Sequence, residues 1–354
     1  MLIGCIADDF TGATDLVNTL SRGGLSTQQS VGVPAGEPPA DCDGVVVALK
    51  IRSCDPREAV AQSLAASAWL KRAGARQFLF KVCSTFDSTP RGNIGPVAEA
   101  LRLALGTFGL PPPRAGEGRG GGMCVPVCPA YPSYRRTIYR GHLFVGDALL
   151  SESGMQHHPL TPVTDANLVR VLQAQTRERV GLVPLKDVRA GSAALAARLR
   201  QPGREGCGFA IVDCAADDDL RTLALAAADA PIVVVRSGIA LGLPENFFRS
   251  GARRATAPTP ARPGGPLVVL AGFCSLATRG QVAQYASTQP LLAVDAARAL
   301  REPGYVDEVA DWCLAQRTPP LVASTAAPDA VAANTQRLGS DVAAGIEHFF
   351  ARLA

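Results

Sequence analysis

The sequence predicts an α/β protein of two domains with mostly parallel sheets. Three observations predict it. Short β-rich runs alternate with Ala/Leu-rich helical stretches along the chain, the pattern of βαβ units. Several of those runs are apolar throughout, as strands buried on both faces are. A Pro/Gly/Arg-rich stretch, residues 250–265, reads as a linker between residues 1–249 and 266–354.

The first element is the apolar run Leu2–Ala7. It ends in two carboxylates, Asp8 and Asp9, followed by Thr11-Gly12 and then by Ala13, Leu16, Val17 and Leu20 at helical spacing. That order reads as strand, loop, helix. Ligands of open α/β sheets bind at the carboxyl ends of strands, which puts Asp8 and Asp9 where chemistry is usually placed. A helix N-cap is the competing reading of an Asp here, but one carboxylate is enough for a cap. Further strands are expected at Gly44–Leu49, Gln77–Lys81, Gly208–Asp213, Pro231–Val235 and Pro266–Leu270. Helices are expected at Pro56–Gly74, Ile94–Gly106, Asp165–Gln175, Gly191–Arg200, Asp217–Asp229 and Thr278–Ser287.

Bulk properties bound the function. The chain has 354 residues, 47% hydrophobic and 19% charged, which suits a folded enzyme rather than a disordered chain. A net charge of +4 and 5% aromatic residues argue against a nucleic-acid partner. No apolar run reaches the roughly 18 residues of a membrane span. The first strand begins at residue 2, leaving no room for a signal peptide, so a cytoplasmic protein with reduced thiols is expected. The ten cysteines form no CxxC pair, and no metal site is read from them.

Other stretches carry polar groups. Phe80–Gly95 brings Lys81, Ser84, Thr85, Asp87, Ser88, Thr89, Arg91 and Asn93 to a second strand end. Such a loop suits a carboxylate or a polyol, since Arg takes carboxylates in bidentate fashion; a capped helix start with exposed polar neighbours is the plainer reading. Tyr139–Asp165 is loop-like and contains His142, Asp147, Glu152, His157 and His158, with surface or supporting roles expected for the histidines. Val268–Arg279 reads as strand, Gly/Ser turn and helix, and backbone N–H groups at such a turn can hold phosphate. The GxGxxG at Gly116–Gly121 follows three prolines instead of a strand, so it is not read as a nucleotide fingerprint.

Together these stretches resemble the four-carbon acid sugar kinase family, over Ile3 to about Leu338. The motifs that carry the resemblance are Ile6–Asp15, Cys83–Thr89 with Gly92–Val97, Gly141–Asp147, Glu152–Met155, His158–Pro162 and Asn167–Leu172. The match is nearest the 3-oxo-tetronate branch. The resemblance implies an ATP- and Mg²⁺-dependent phosphotransferase acting on the 4-hydroxyl of a 3-oxo-tetronate. It implies a sugar-acid-binding N-terminal domain, a nucleotide-binding C-terminal domain and an active-site cleft between them. On this basis Asp8 and Asp9 are the expected catalytic residues. Thr11, Lys81, Ser84, Asp87, Ser88 and Arg91 are expected to hold the sugar acid, and Gly238, Gly272 and Ser275 the nucleotide. The partners are then a small sugar acid and ATP, with room for a homo-oligomer.

The chain departs from the family pattern in places. Val235-Arg-Ser-Gly238 stands where relatives carry Gly-Gly-Ser-Gly, and Gly272-Phe-Cys-Ser275 where they read Gly-Ser-Cys-Ser. Phe273 is expected to crowd a bound nucleotide. A Gly-Gly-Glu-Thr-Ser-Gly loop expected beyond Ala354 is absent, which predicts an incomplete C-terminal domain. The alternative function is then a truncated homologue that binds sugar acids without kinase activity.

Overall fold

The structure is a computed structural model and describes residues 1–37, 42–83, 86, 89–106, 123–157, 162–200, 207–249, 265–274, 276–339 and 341–354. The chain divides into two compact units, Met1–Thr259 and Pro260–Ala354. The expected linker lies, but for Gly265, outside the described residues.

The first unit is built on an eight-stranded sheet. Its strands in chain order are β1 (Ile3–Ala7), β2 (Thr27–Val31), β3 (Gly44–Ala48), β4 (Gln77–Lys81) and β5 (Val125–Cys128). Three short strands, β6 (Arg136–Tyr139), β7 (His142–Val145) and β8 (Ala148–Leu149), lie apart from it. The main sheet is completed by β9 (Arg179–Val183), β10 (Cys207–Val212) and β11 (Ile232–Val235). The spatial order is β2-β3-β1-β4-β11-β5-β10-β9, every pair parallel.

Strands β1, β3, β4, β5 and β11 are buried along their whole length. Continuous Val/Ile/Leu/Phe runs such as Val45-Val46-Val47 and Phe78-Leu79-Phe80 meet that demand, because both sheet faces are covered. The helix Phe10–Arg22 buries Ala13, Leu16, Thr19 and Leu20, one stripe at three- and four-residue spacing. The helix Pro56–Arg72 starts from Asp55, whose side chain accepts from the Arg57 N–H at 2.8 Å, with Pro56 at the first turn. Its last turn and the residues after it pack hard on β1: a Cβ at Gly4 would lie 3.1 Å from the Leu70 Cβ and 3.0 Å from the Cβ of Ala75, just past the helix.

From β1 the chain builds outward through β3 and β2 on one side and through β4 on the other. The order therefore switches between β1 and β4, and such a switch opens a crevice at the carboxyl ends of the strands. Asp8 and Asp9 follow β1 there, and Lys81 ends β4.

The 139–165 stretch differs from the loop-like expectation. Strands β6, β7 and β8 form a small antiparallel sheet, turned by Gly141 at φ 74° and Gly146 at φ 63°. These left-handed positions suit glycine. The strands are only two to four residues long, too short to show an alternation.

The second unit has its own parallel sheet, in the order β12 (Val269–Ala271), β14 (Leu321–Ala323), β13 (Leu291–Ala293). Its core is Tyr305, Val306, Val309, Val322 and Phe349. The Tyr305 and Phe349 rings stack 5.3 Å apart. No helix among the described residues is long and apolar enough to cross a membrane.

Candidate active site

Four charged side chains meet at the β1/β4 switch. Asp9 is the N-cap of the helix Phe10–Arg22 and accepts from the Gly12 N–H through Oδ1. Its Oδ2 accepts from the Lys81 Nζ at 3.0 Å and from the Arg52 Nη2. Asp8 points into the protein. Its Oδ2 accepts from the Cys83 N–H at 3.1 Å, with the Arg52 Nε at 3.5 Å. Lys81 Nζ lies 3.9 Å from Asp8 Oδ1, an electrostatic contact longer than a hydrogen bond. The capping reading therefore holds for Asp9, while Asp8 turns inward and caps nothing.

The two carboxylates titrate apart. Burial pushes Asp8 up to about 6, against the pull of Arg52 and Lys81. Burial acts in the same direction on Asp9, but Lys81, Arg52 and the Gly12 N–H outweigh it and hold that carboxyl at about 2. Asp9 is thus permanently ionised at neutral pH, while Asp8 sits near the range of a working general base.

Arg52 completes this cluster and was not among the residues expected from the sequence. It lies in the loop after β3, which is laced to β1: the Leu49 N–H donates to the Ala7 carbonyl at 2.9 Å and the Ile51 N–H to the Asp8 carbonyl at 3.2 Å. Asn93 clamps that loop from the other side. Its buried amide donates to the carbonyls of Ile51 (2.6 Å), Cys54 (3.0 Å) and Arg52 (3.4 Å). Three acceptors around one nitrogen fix the orientation of the amide and leave Asn93 Oδ1 without a partner. Asp8 Oδ1 is likewise buried and unbonded. Both residues line one small recess with Ile51, Arg52, Phe80 and Ile94. Its cavity volume of about 10 Å³ is near the threshold for a single water. One water, with two protons, matches two such acceptors in number.

Among the other expected residues, Thr11 is exposed in the first turn after Asp9, and Arg91 is exposed beside the Thr89–Gly92 turn. Ser84, Asp87, Ser88 and Ser275 lie outside the described residues. Between them Phe86 is fully buried with φ 51°, an uncommon conformation for a bulky residue. Gly238 belongs to the first unit, where a Cβ would lie 2.9 Å from the Ala130 carbonyl oxygen and 3.0 Å from the Tyr131 ring. His142 bonds within its own hairpin region, with Nδ1 3.0 Å from the Arg140 carbonyl and Nε2 3.3 Å from Asn167.

In the second unit Gly272 follows β12 and precedes the helix Leu276–Ala286. A cavity of about 310 Å³ is lined there by Gly272, Phe273, Thr278, Gln281 and Tyr285, among others. Phe273 is 67% exposed and lines this space.

Comparison with known proteins adds to this geometry. A sugar-binding N-terminal domain matches residues 3–243, and a nucleotide-binding C-terminal domain matches residues 268–354. The second match shows a nucleotide-binding C-terminal domain, against the expectation of one incomplete for want of its ATP loop. In the second unit the helices Tyr305–Leu314 and Val342–Leu353 close a core over a parallel sheet. A 3-oxo-tetronate kinase of Burkholderia multivorans is 49% identical over 97% of this chain and 77% of its own length. One of Cupriavidus necator is 49% identical over 96% of this chain and 76% of its own. A Salmonella typhimurium protein of known structure is 41% identical, with a TM-score of 0.80 over 99% of this chain and 81% of that one.

Proposed function

This chain belongs to the four-carbon acid sugar kinase family, and we propose that it transfers the γ-phosphoryl group of ATP to the 4-hydroxyl of a 3-oxo-tetronate. The observation that carries the catalytic assignment is the divided pair Asp8/Asp9. Phosphoryl transfer asks a protein for positioning, for charge neutralisation and for a residue to orient the attacking hydroxyl. Asp8 Oδ1, buried and without a hydrogen-bond partner, accepts the 4-hydroxyl and takes its proton. Asp9 does not compete for that proton, since Lys81 and Arg52 already neutralise it. Lys81 and Arg52 are therefore positioning residues that hold the cluster near electroneutrality. Thr11, Ser84, Asp87, Ser88 and Arg91 surround the same strand ends in sequence and form the rest of the sugar-acid site in this reading.

The nucleotide falls to the second unit, with Gly272 and Ser275 in the turn after β12 and the cavity beside it. A divalent ion such as Mg²⁺ would neutralise phosphate charge during transfer. Among the described residues no group of three or more His, Cys, Asp or Glu fits a metal, and ATP-bound Mg²⁺ needs few protein ligands.

The test is direct. The chain is incubated with ATP, Mg²⁺ and each 3-oxo-tetronate stereoisomer, and phosphorus NMR follows the product. A 4-phosphate forming in the wild type, and at least 100-fold more slowly in D8N than in the wild type, supports the reading. ADP release independent of the sugar acid, or full activity in D8N, sinks it.

A further inference from the structure

A second cationic cluster stands on the same edge of the main sheet. Strand β11 lies next to β4, with Val235 in register with Lys81 and the Val82 N–H donating to the Val235 carbonyl at 2.9 Å. The next residue is Arg236. Its guanidinium lies over the rings of Tyr131 (5.5 Å) and Tyr134 (5.7 Å). Its Nη1 is buried and has no hydrogen-bond partner among the described residues. Arg136, the first residue of β6, is half-buried nearby. Its Nε is also buried and unbonded, and its Nη1 reaches only the Tyr134 carbonyl, at 3.5 Å.

Two like charges brought together, each with an idle donor, ask for an anion. Burial, and then the charge of Arg236, pushes Arg136 below the usual arginine range. Asp15 is the carboxylate that faces Arg236, and it is engaged by the Ser237 hydroxyl. The rings of Tyr131 and Tyr134 hold the Arg236 fork in place. The two clusters adjoin along the chain after β4, where the Val82 N–H donates to the Val235 carbonyl at 2.9 Å and the next N–H, of Cys83, donates to Asp8 at 3.1 Å.

We propose that Arg236 and Arg136 form the subsite for the carboxylate of the sugar acid, opposite the end that presents its 4-hydroxyl to Asp8. The inference rests on the kinase reading for the substrate, and it selects among the cations of the sheet edge. Lys81 and Arg52 are already matched to Asp9 and Asp8, and an incoming carboxylate would have to break those pairs. Strand β11 stands two strand spacings from β1, about 10 Å. The γ-phosphoryl group must approach the 4-hydroxyl at the Asp8 end, which leaves the arginine pair for the carboxylate.

Calorimetry on the whole chain tests it with three probes: a four-carbon aldonate, the neutral four-carbon ketose erythrulose, and inorganic phosphate. The wild type should bind the aldonate more tightly than erythrulose. R236Q and R136Q should each weaken the aldonate about 10- to 100-fold, the loss of a charge-assisted hydrogen bond, and leave erythrulose within about twofold. R236K should recover part of the loss, because it restores charge without the planar fork. Equal weakening of aldonate and erythrulose, no weakening, or an effect on phosphate alone overturns the subsite. The two readings fail separately: an aldonate effect without any kinase turnover removes the kinase and keeps the subsite, and turnover without an aldonate effect does the reverse.

Discussion

The ammonium of Lys81 stands in the space that a side chain on Gly12 would fill. The helix Phe10–Arg22 therefore begins with a residue that lacks a Cβ so that Lys81 can cross its first turn and reach Asp9 at 3.0 Å. A lysine 4% exposed has few other places to go.

Gly12→Ala should separate activity from stability. Alanine gains about 1 kcal/mol of helix propensity over glycine, which offsets part of the cost of moving a flexible lysine tip. The melting temperature should stay within about 4 °C of wild type, while kcat/KM for the sugar acid falls at least tenfold. A fully active G12A, measured by coupled ADP release, would show that the Lys81–Asp9 pair is not needed.

The pH profile should follow Asp8. Its carboxyl is raised to about 6, and only the ionised form accepts a proton, so activity is lost as pH falls through about 6. Arg52 pulls that value down, so R52Q should move the acid limb of kcat/KM to higher pH. A flat wild-type profile between pH 5 and 7.5, or a limb unmoved in R52Q, would remove Asp8 from the proton transfer.

Asn93→Ala should loosen the loop that carries Arg52. Three carbonyls lose their shared donor in a buried site, at a cost of about 1–3 kcal/mol. Urea denaturation should show that loss, and KM for the sugar acid should rise more than kcat falls. An N93A of wild-type stability would mean that water replaces the amide.

Gly95→Ala should destabilise the first unit by about 1–3 kcal/mol through overpacking. A Cβ there would lie 2.6 Å from the Gln175 carbonyl oxygen and 2.7 Å from its carbonyl carbon, and backbone yields less readily than a side chain. The same Gln175 accepts from the Gly95 N–H at 3.0 Å, so the helix start would be pushed off its anchor. Unchanged urea midpoints in G95A would show that the 173–176 segment moves freely.

The sheet was legible where burial is two-sided. Val45-Val46-Val47, Phe78-Leu79-Phe80 and Ile232–Val235 announce themselves by composition alone. Edge strand β2, Thr27-Gln-Gln-Ser-Val31, does not, because one side and much of each face meet solvent. Asp8, Asp9 and Lys81 were legible because each sits at the end of such a run. Arg52 was not, since its partners are more than 40 residues away and its place depends on which strand β3 pairs with. Its only local signal was a charge shortly after a strand, a feature shared with many surface residues. The division of labour between the two aspartates could not be read from the sequence either, because it follows from which carboxylate points inward.

The position of β11 between β4 and β5 also sets an order of assembly. Strand β4 is finished at residue 81, but its second neighbour ends only at residue 235, about 150 residues later. At ribosomal speeds of about 5–20 residues per second, that interval is roughly 10–30 s. Throughout it the nascent chain holds a hydrophobic strand with one bare edge in what will become the middle of the sheet, a segment open to pairing with a neighbouring chain. Strand β11, which backs the Lys81 side of the site, is thus the last strand of the main sheet to be synthesised.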